Sequence, residues 1–150
     1  MNKFDREIIS ILSHSGRISW TQLAEKISLS PSACQRRVEA LINEGVISKF
    51  TIAVDPHSVG LGVKALVSVN VERGDTQNTD AFRQALITHP RIQSAHMVSG
   101  SIDYMLEVYA TDLEDLCRFL DEELLKMPAV RDATSSIVLS VIKPHEPVTA

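Results

Sequence analysis

The sequence predicts an α+β chain in two parts, and three observations carry that reading. Residues 1–50 are patterned as short helices joined by tight turns, and residues 53–62 interrupt regular structure with one proline and two glycines. Residues 63–143 then run through strand, helix, strand, strand, helix and strand periods. A chain of 150 residues has room for one ordinary domain or two small ones.

In the first part, Asp5 is placed to cap a helix whose buried face is Ile8, Ile9 and Leu12, with Phe4 set to staple against Ile9. Residues 21–27 form a short second helix with Leu23, Ala24 and Ile27 inside. Ser28 and Leu29 leave only a tight turn, and serine at a position that favours glycine implies modest strain if φ is positive. Ser30 caps the third helix, and Pro31 takes the first helical position, where its missing N–H costs nothing. At 100° per residue Cys34, Val38, Leu41 and Ile42 share an apolar arc, while Ser32, Gln35, Arg36, Glu39 and Asn43 face outward and Arg37 lies on the flank. Gly45 is a natural stop, and residues 46–52 alternate like a strand.

These elements compose a winged helix-turn-helix over residues 1–52, in which the third helix enters the major groove of double-stranded DNA. The candidate contacts are Ser30, Ser32, Ala33, Gln35, Arg36 and Arg37, with Ser32, Gln35 and Arg36 toward bases and Arg37 toward phosphate. A small helical bundle that binds protein fits the same pattern of apolar positions. Charge favours DNA: residues 1–50 hold seven Lys/Arg against five Asp/Glu, whereas residues 51–150 hold eight against fourteen. The formal net charge of −4 thus conceals a mildly basic head on an acidic body. Because so small an excess binds phosphate weakly, a symmetric dimer is required to double the contacts.

Residues 53–62 read as a linker, and residues 63–150 as a ferredoxin-like βαββαβ domain. Residues 64–72 alternate, with Ala65, Val67, Val69 and Val71 on one side and Leu66, Ser68 and Asn70 on the other. A helix from Thr79 or Asp80 turns Phe82, Ala85 and Leu86 inward and ends near Pro90. Residues 91–99 and 102–110 form a hairpin around Gly100 and Ser101. Asp112 caps a second helix with Leu113, Leu116, Cys117, Leu120, Leu124 and Met127 as one buried stripe, and residues 130–143 close the domain as a long strand. Two helices cover one sheet face only. The other is too apolar to be left wholly to water, which points to an oligomer interface, although antiparallel sheets also tolerate a half-exposed face.

Several destinations are excluded. The charged start, Met1 to Glu7, lacks the apolar stretch of a signal peptide, and no run approaches the ~18 apolar residues of a membrane span. A cytoplasmic, nucleoid-associated protein with no membrane partner is expected. Cys34 and Cys117 are solitary and read as small buried hydrophobes, while the five histidines lack metal-ligand spacing. No catalytic residue, metal site or cofactor is assigned.

Across nearly its whole length the chain resembles the leucine-responsive and asparagine-responsive (Lrp/AsnC) transcriptional regulators. The resemblance rests on residues 4–9 (Phe-Asp-Arg-Glu-Ile-Ile), 16–19 (Gly-Arg-Ile-Ser), Leu29-Ser30-Pro31 with Arg36-Arg37-Val38, and 44–47 (Glu-Gly-Val-Ile). In the body it rests on Val54-Asp55-Pro56, residues 98–104 (Val-Ser-Gly-Ser-Ile-Asp-Tyr), and Met127-Pro128-Ala129-Val130 with Thr134 and Lys143. It implies regulation of amino-acid metabolism, homodimers that associate into octamers, and an amino-acid effector bound between dimers. Val98, Gly100, Ser101, Asp103 and Tyr104 match the effector loop, and Thr134, Ser135, Ser136 and Ile137 lie where the last strand completes the pocket. A glycine turn can offer N–H groups to an α-carboxylate, and Asp103 can receive an α-ammonium. By pattern alone, Gly100 and Ser101 read first as an ordinary hairpin turn and Asp103 as a solvated or turn-bonding residue, and it is the family resemblance that favours the effector reading.

The expected activity is therefore that of a non-enzymatic, amino-acid-responsive DNA-binding regulator. Siroheme decarboxylases resemble the same family, and in that reading His96 is catalytic. A third reading is an amino-acid sensor that acts through protein contacts.

Overall fold

The computed structural model describes residues 1–72, 74 and 76–147. The chain divides into two compact units, Met1–Ala53 with the tail from Lys143, and Val54–Ile142. Residues 54–62 of the expected linker fall within the second unit and Ala53 within the first. The linker is ordered by its own hydrogen bonds: Asp55 accepts from the N–H groups of His57 and Ser58 and from the Ser58 hydroxyl at 2.6 Å, which starts a 3-10 turn at His57–Val59.

In the first unit, α1 (Lys3–His14), α2 (Trp20–Ile27) and α3 (Pro31–Asn43) surround a core of Ile8, Leu23, Ala24, Ile27, Cys34, Val38 and Leu41. The cap of α1 is Asn2 rather than Asp5. Asp5 sits three residues inside and returns the bond to the Asn2 N–H, because an acid at that position completes a capping box. Ser19 and Gln22 cap α2 in the same way. Ser28 follows at φ +55°, so the turn adopts the left-handed conformation expected to strain a serine. Gly45 ends α3 at φ +73°.

Two expectations fail here. Ile42 is 43 % exposed, because only its α3 neighbours Cys34, Val38 and Leu41 reach the core. Residues 46–52 form no strand: the N–H groups of Val46 and Ile47 both return to the Leu41 carbonyl, and no other strand of this unit lies among the described residues to pair with it. The alternation leaves Phe50 and Ile52 exposed.

The second unit runs β1 (Val63–Val71), α4 (Thr76–Thr88), β2 (Ile92–Met97), β3 (Tyr104–Ala110), α5 (Leu113–Arg118) and β4 (Val130–Ile137). The antiparallel sheet has order β2-β3-β1-β4, which is the predicted βαββαβ topology. Its inner face, Ala65, Val67, Val69 and Val71 with Tyr104, Leu106, Val108 and Ala110, is covered by Phe82 and Leu86 of α4 and by Leu116, Phe119 and Leu124. Truncating a phenylalanine at 0 % exposure, Phe82 or Phe119, to alanine is worth about 3–5 kcal/mol.

The α4 helix starts at Thr76, earlier than expected. The expected stripe after Asp112 is also corrected, since Leu113 and Cys117 are exposed and Phe119 is buried. After α5 the backbone widens into a π turn over Phe119–Glu123 and tightens into a 3-10 turn at Leu124–Lys126. A π turn takes about one residue more than an α turn, so Phe119 and Leu124, five apart, face the same core. The last strand stops at Ile137 because its partner runs out: Val138 donates to the Lys64 carbonyl, and β1 begins at Val63. Leu139 and Ile142 are left almost wholly exposed.

The outer sheet face carries Leu66, Ser68 and Asn70 of β1, with Met105 and Thr134 opposite Ser68 and with Glu107 and Ser136 opposite Leu66. His96 stands opposite Met105 on the same face. Lys64 bridges to Glu107 at 3.0 Å and lies over the Tyr109 ring. No helix of the described residues is long and apolar enough to cross a membrane.

Candidate nucleic-acid interface and effector site

The start of α3 is built as predicted. Ser30 accepts from the Ala33 N–H at 3.2 Å and shares a hydrogen bond with Ser32, and Pro31 opens the helix. Cys34 and Val38 anchor one side, and burial pushes the Cys34 thiol pKa up, which keeps it protonated and inert. The opposite side presents Ser32, Gln35 and Arg36 to solvent, Gln35 being steadied by Glu39 at 3.0 Å. Arg36 makes no ion pair among the described residues. Arg37 is different: its guanidinium bonds Asp5 at 3.0 Å and lies 5.4 Å from the centre of the Phe4 ring. The Asn2 N–H and then Arg37 hold the Asp5 carboxyl below the usual carboxylate range. The flank residue expected to serve phosphate therefore also ties α3 to α1.

The second site lies where β1 leaves the sheet. The β1–β4 register shifts between Asn70 and Val71, and the Val71 N–H donates to Asp103 Oδ2 at 3.0 Å. Asp103 is held from both sides, donating its own N–H to the Val69 carbonyl and accepting the Val98 N–H. It is thus turn-bonding, with its carboxylate beside a concavity of about 460 Å³.

Of the expected effector residues, Val98, Asp103 and Tyr104 line this concavity. Gly100 and Ser101 do not, although Gly100 holds φ +126°, a conformation that favours glycine at the hairpin turn. Thr134, Ser135, Ser136 and Ile137 also stand outside it. Their register sets Thr134 and Ser136 on the outer sheet face, and Ser135 and Ile137 opposite the core residues Val67 and Ala65.

The structure adds Glu72, Thr79, Arg83 and Met97 to the wall. Arg83 Nε donates to the Tyr104 hydroxyl at 3.1 Å, and the Tyr104 ring meets Phe82 edge-on at 5.2 Å. Helical phase places Arg83 beside the core residue Phe82. Nothing in the sequence says that α4 crosses the sheet at Tyr104, so this residue escaped a reading by pattern. The concavity therefore has an acidic side in Glu72 and Asp103, a basic group in Arg83, and apolar walls in Val71, Met97 and Val98.

Residues 64–148 match the Lrp/AsnC ligand binding domain, and residues 1–48 match a winged helix-turn-helix DNA-binding family. The transcriptional regulator AzlB of Bacillus subtilis is 34 % identical over 143 residues, which cover 95 % of this chain and 91 % of that protein. The leucine-responsive regulatory protein of Escherichia coli is 32 % identical over 143 residues, covering 95 % and 87 %. Among solved structures, a transcriptional regulator of Neisseria meningitidis in complex with L-Met matches with a TM-score of 0.92 at 32 % identity, covering 97 % of this chain and 94 % of that one. With a DNA-binding motif and a ligand-binding domain matched over almost all of its length, the chain belongs to the Lrp/AsnC family of transcriptional regulators.

Proposed function

We propose that this regulator reads operator DNA with the outward face of α3 and answers to an amino acid held near the β2–β3 loop. The carrying observation is that one chain combines a family ligand-binding domain, whose concavity has both acidic and basic walls, with a head that carries a capped, solvent-facing third helix. An α-amino acid at neutral pH carries both charges and fits such walls. The named relatives agree in class, one being leucine-responsive and another bound to L-Met.

Ser30, Ser32, Ala33, Gln35, Arg36 and Arg37 form the DNA-facing set, and the effector set is Val98, Gly100, Ser101, Asp103 and Tyr104. Thr134 to Ile137 contribute only where another copy brings them near. The protein acts without a catalytic step, as a homodimer that associates toward an octamer, and resides with the nucleoid in the cytoplasm. Because a ligand with equal affinity for two states shifts neither, the effector acts by preferring one assembly and so changing which half-sites are held together.

Thermal unfolding of the full chain with each of the twenty amino acids, followed by operator binding with and without the hits, tests this. A ligand at 100 times its Kd stabilises by about 2.7 kcal/mol. Stabilisation by a subset together with a shift in operator affinity is expected. Absence of both overturns the reading.

A further inference from the structure

We propose that Arg83 receives the α-carboxylate of the effector and that Tyr104 is its positioning residue. This rests on the reading of the concavity as an amino-acid site, and it moves the carboxylate away from the Gly100 turn, which does not line the wall.

The argument starts from what Arg83 already touches. A guanidinium has five donors in a planar fork. Here Nε is fixed on the Tyr104 hydroxyl at 3.1 Å, one terminal nitrogen reaches Asp80 at a long 3.5 Å, and the other, among the described residues, meets only the Met97 sulfur at 3.7 Å. A thioether is a weak acceptor, so the fork edge on the concavity side exchanges a poor partner for a good one when a carboxylate enters. Asp80 is 64 % exposed and competes weakly.

Tyr104 is a rigid post. It is 5 % exposed, lies in β3 opposite Val69, and is braced edge-on by Phe82, the residue preceding Arg83 in α4. One aromatic ring therefore aims the guanidinium that α4 supplies. Glu72 and Asp103 stand in the same wall, so a zwitterion finds its ammonium partners and its carboxylate partner in one concavity.

The test is calorimetric titration of the full chain with L-leucine, L-methionine and their carboxamides, which keep the ammonium and side chain but lose the anionic oxygen pair. The unsubstituted protein is expected to prefer acid over amide by about tenfold or more, as a charge-assisted hydrogen bond provides. Arg83→Gln brings that ratio close to one, and Arg83→Lys restores part of it. Tyr104→Phe lowers acid affinity several-fold without a matching fall for the amide, whereas damage to the wall alone lowers both. Retention of the full acid preference in Arg83→Gln overturns the assignment and leaves the effector site standing. If neither these probes nor any of the twenty amino acids binds the unsubstituted protein, the site reading itself falls and the assignment with it.

Discussion

Arg36 and Arg37 are neighbours of the same chemistry, and what holds them separates their roles. Arg36 stands on the exposed side of α3, so Arg36→Ala is expected to cost about 1–3 kcal/mol of operator binding and to relax base preference at fixed salt. Arg37 is held by Asp5 and Phe4, so Arg37→Ala should weaken all DNA sequences alike and also destabilise the head by about 1–2 kcal/mol in urea melts. An unchanged melt would remove its structural role. Asp5 adds a pH dependence whose sign is determined by its lowered carboxyl pKa. A depressed folded pKa gives stability that is present above the unfolded value of about 3.9 and is lost as pH falls through the folded value. Asp5→Asn should therefore flatten the acid limb of the stability curve below about pH 4; equal slopes in the two proteins would count against it. Asp103 needs a gentler change than truncation, because its carboxylate also receives the Val71 N–H. Asp103→Asn retains an acceptor there and removes the charge, so loss of the amino-acid response with an unaltered melting temperature is expected.

At the scale of elements, the informative places are those where backbone and side-chain preference disagree. Ser28 joins α2 to α3 at φ +55°, where a Cβ is disfavoured. Ser28→Gly is expected to stabilise the head by roughly 0.5–1 kcal/mol, the relief of strain being partly offset by the greater freedom of glycine when unfolded. A lower melting temperature would mean that the hydroxyl or Cβ contributes more than the strain costs. The π turn after α5 is a second such place. It carries Phe119 and Leu124 onto the core; Cys117, in α5 just before it, is exposed, so an alkylating reagent should label Cys117 in the folded chain and spare the buried Cys34. Equal labelling of both would contradict this placement.

At the scale of the whole molecule, the outer sheet face sets the expectation for assembly. Leu66 is 39 % exposed between Glu107 and Ser136, in a face that no helix among the described residues of its own unit covers. A charge there costs little in a monomer and much in a dry interface. Leu66→Asp should reduce the sedimenting species toward the monomer while the circular dichroism of the folded chain is retained. Unchanged sedimentation would move the interface elsewhere, for instance to the exposed apolar residues Leu139 and Ile142.

Much of the architecture was legible from local rules. The Ser30–Pro31 start, the Gly45 stop, the alternation of β1, the Asp112 cap and the strand–helix order depend on neighbours within a few residues, and those neighbours are written in the chain. What tertiary structure decided depends on partners distant in sequence. Residues 46–52 alternate like a strand, yet alternation supplies no ladder partner, and β4 stops opposite the first residues of β1 rather than where its own pattern does. After Asp112 the sequence offers apolar residues on more than one arc, and it is the position of the sheet that buries Leu116 and Phe119 while leaving Leu113 and Cys117 exposed. The candidate site divides in the same way: the turn at Gly100 and Ser101 was visible in the pattern and residues 98–104 in the family resemblance, whereas the meeting of Arg83 with Tyr104 required α4 to cross the sheet. Local hydrogen bonding and side-chain period determine which elements form; only long-range packing determines which side chains share a wall.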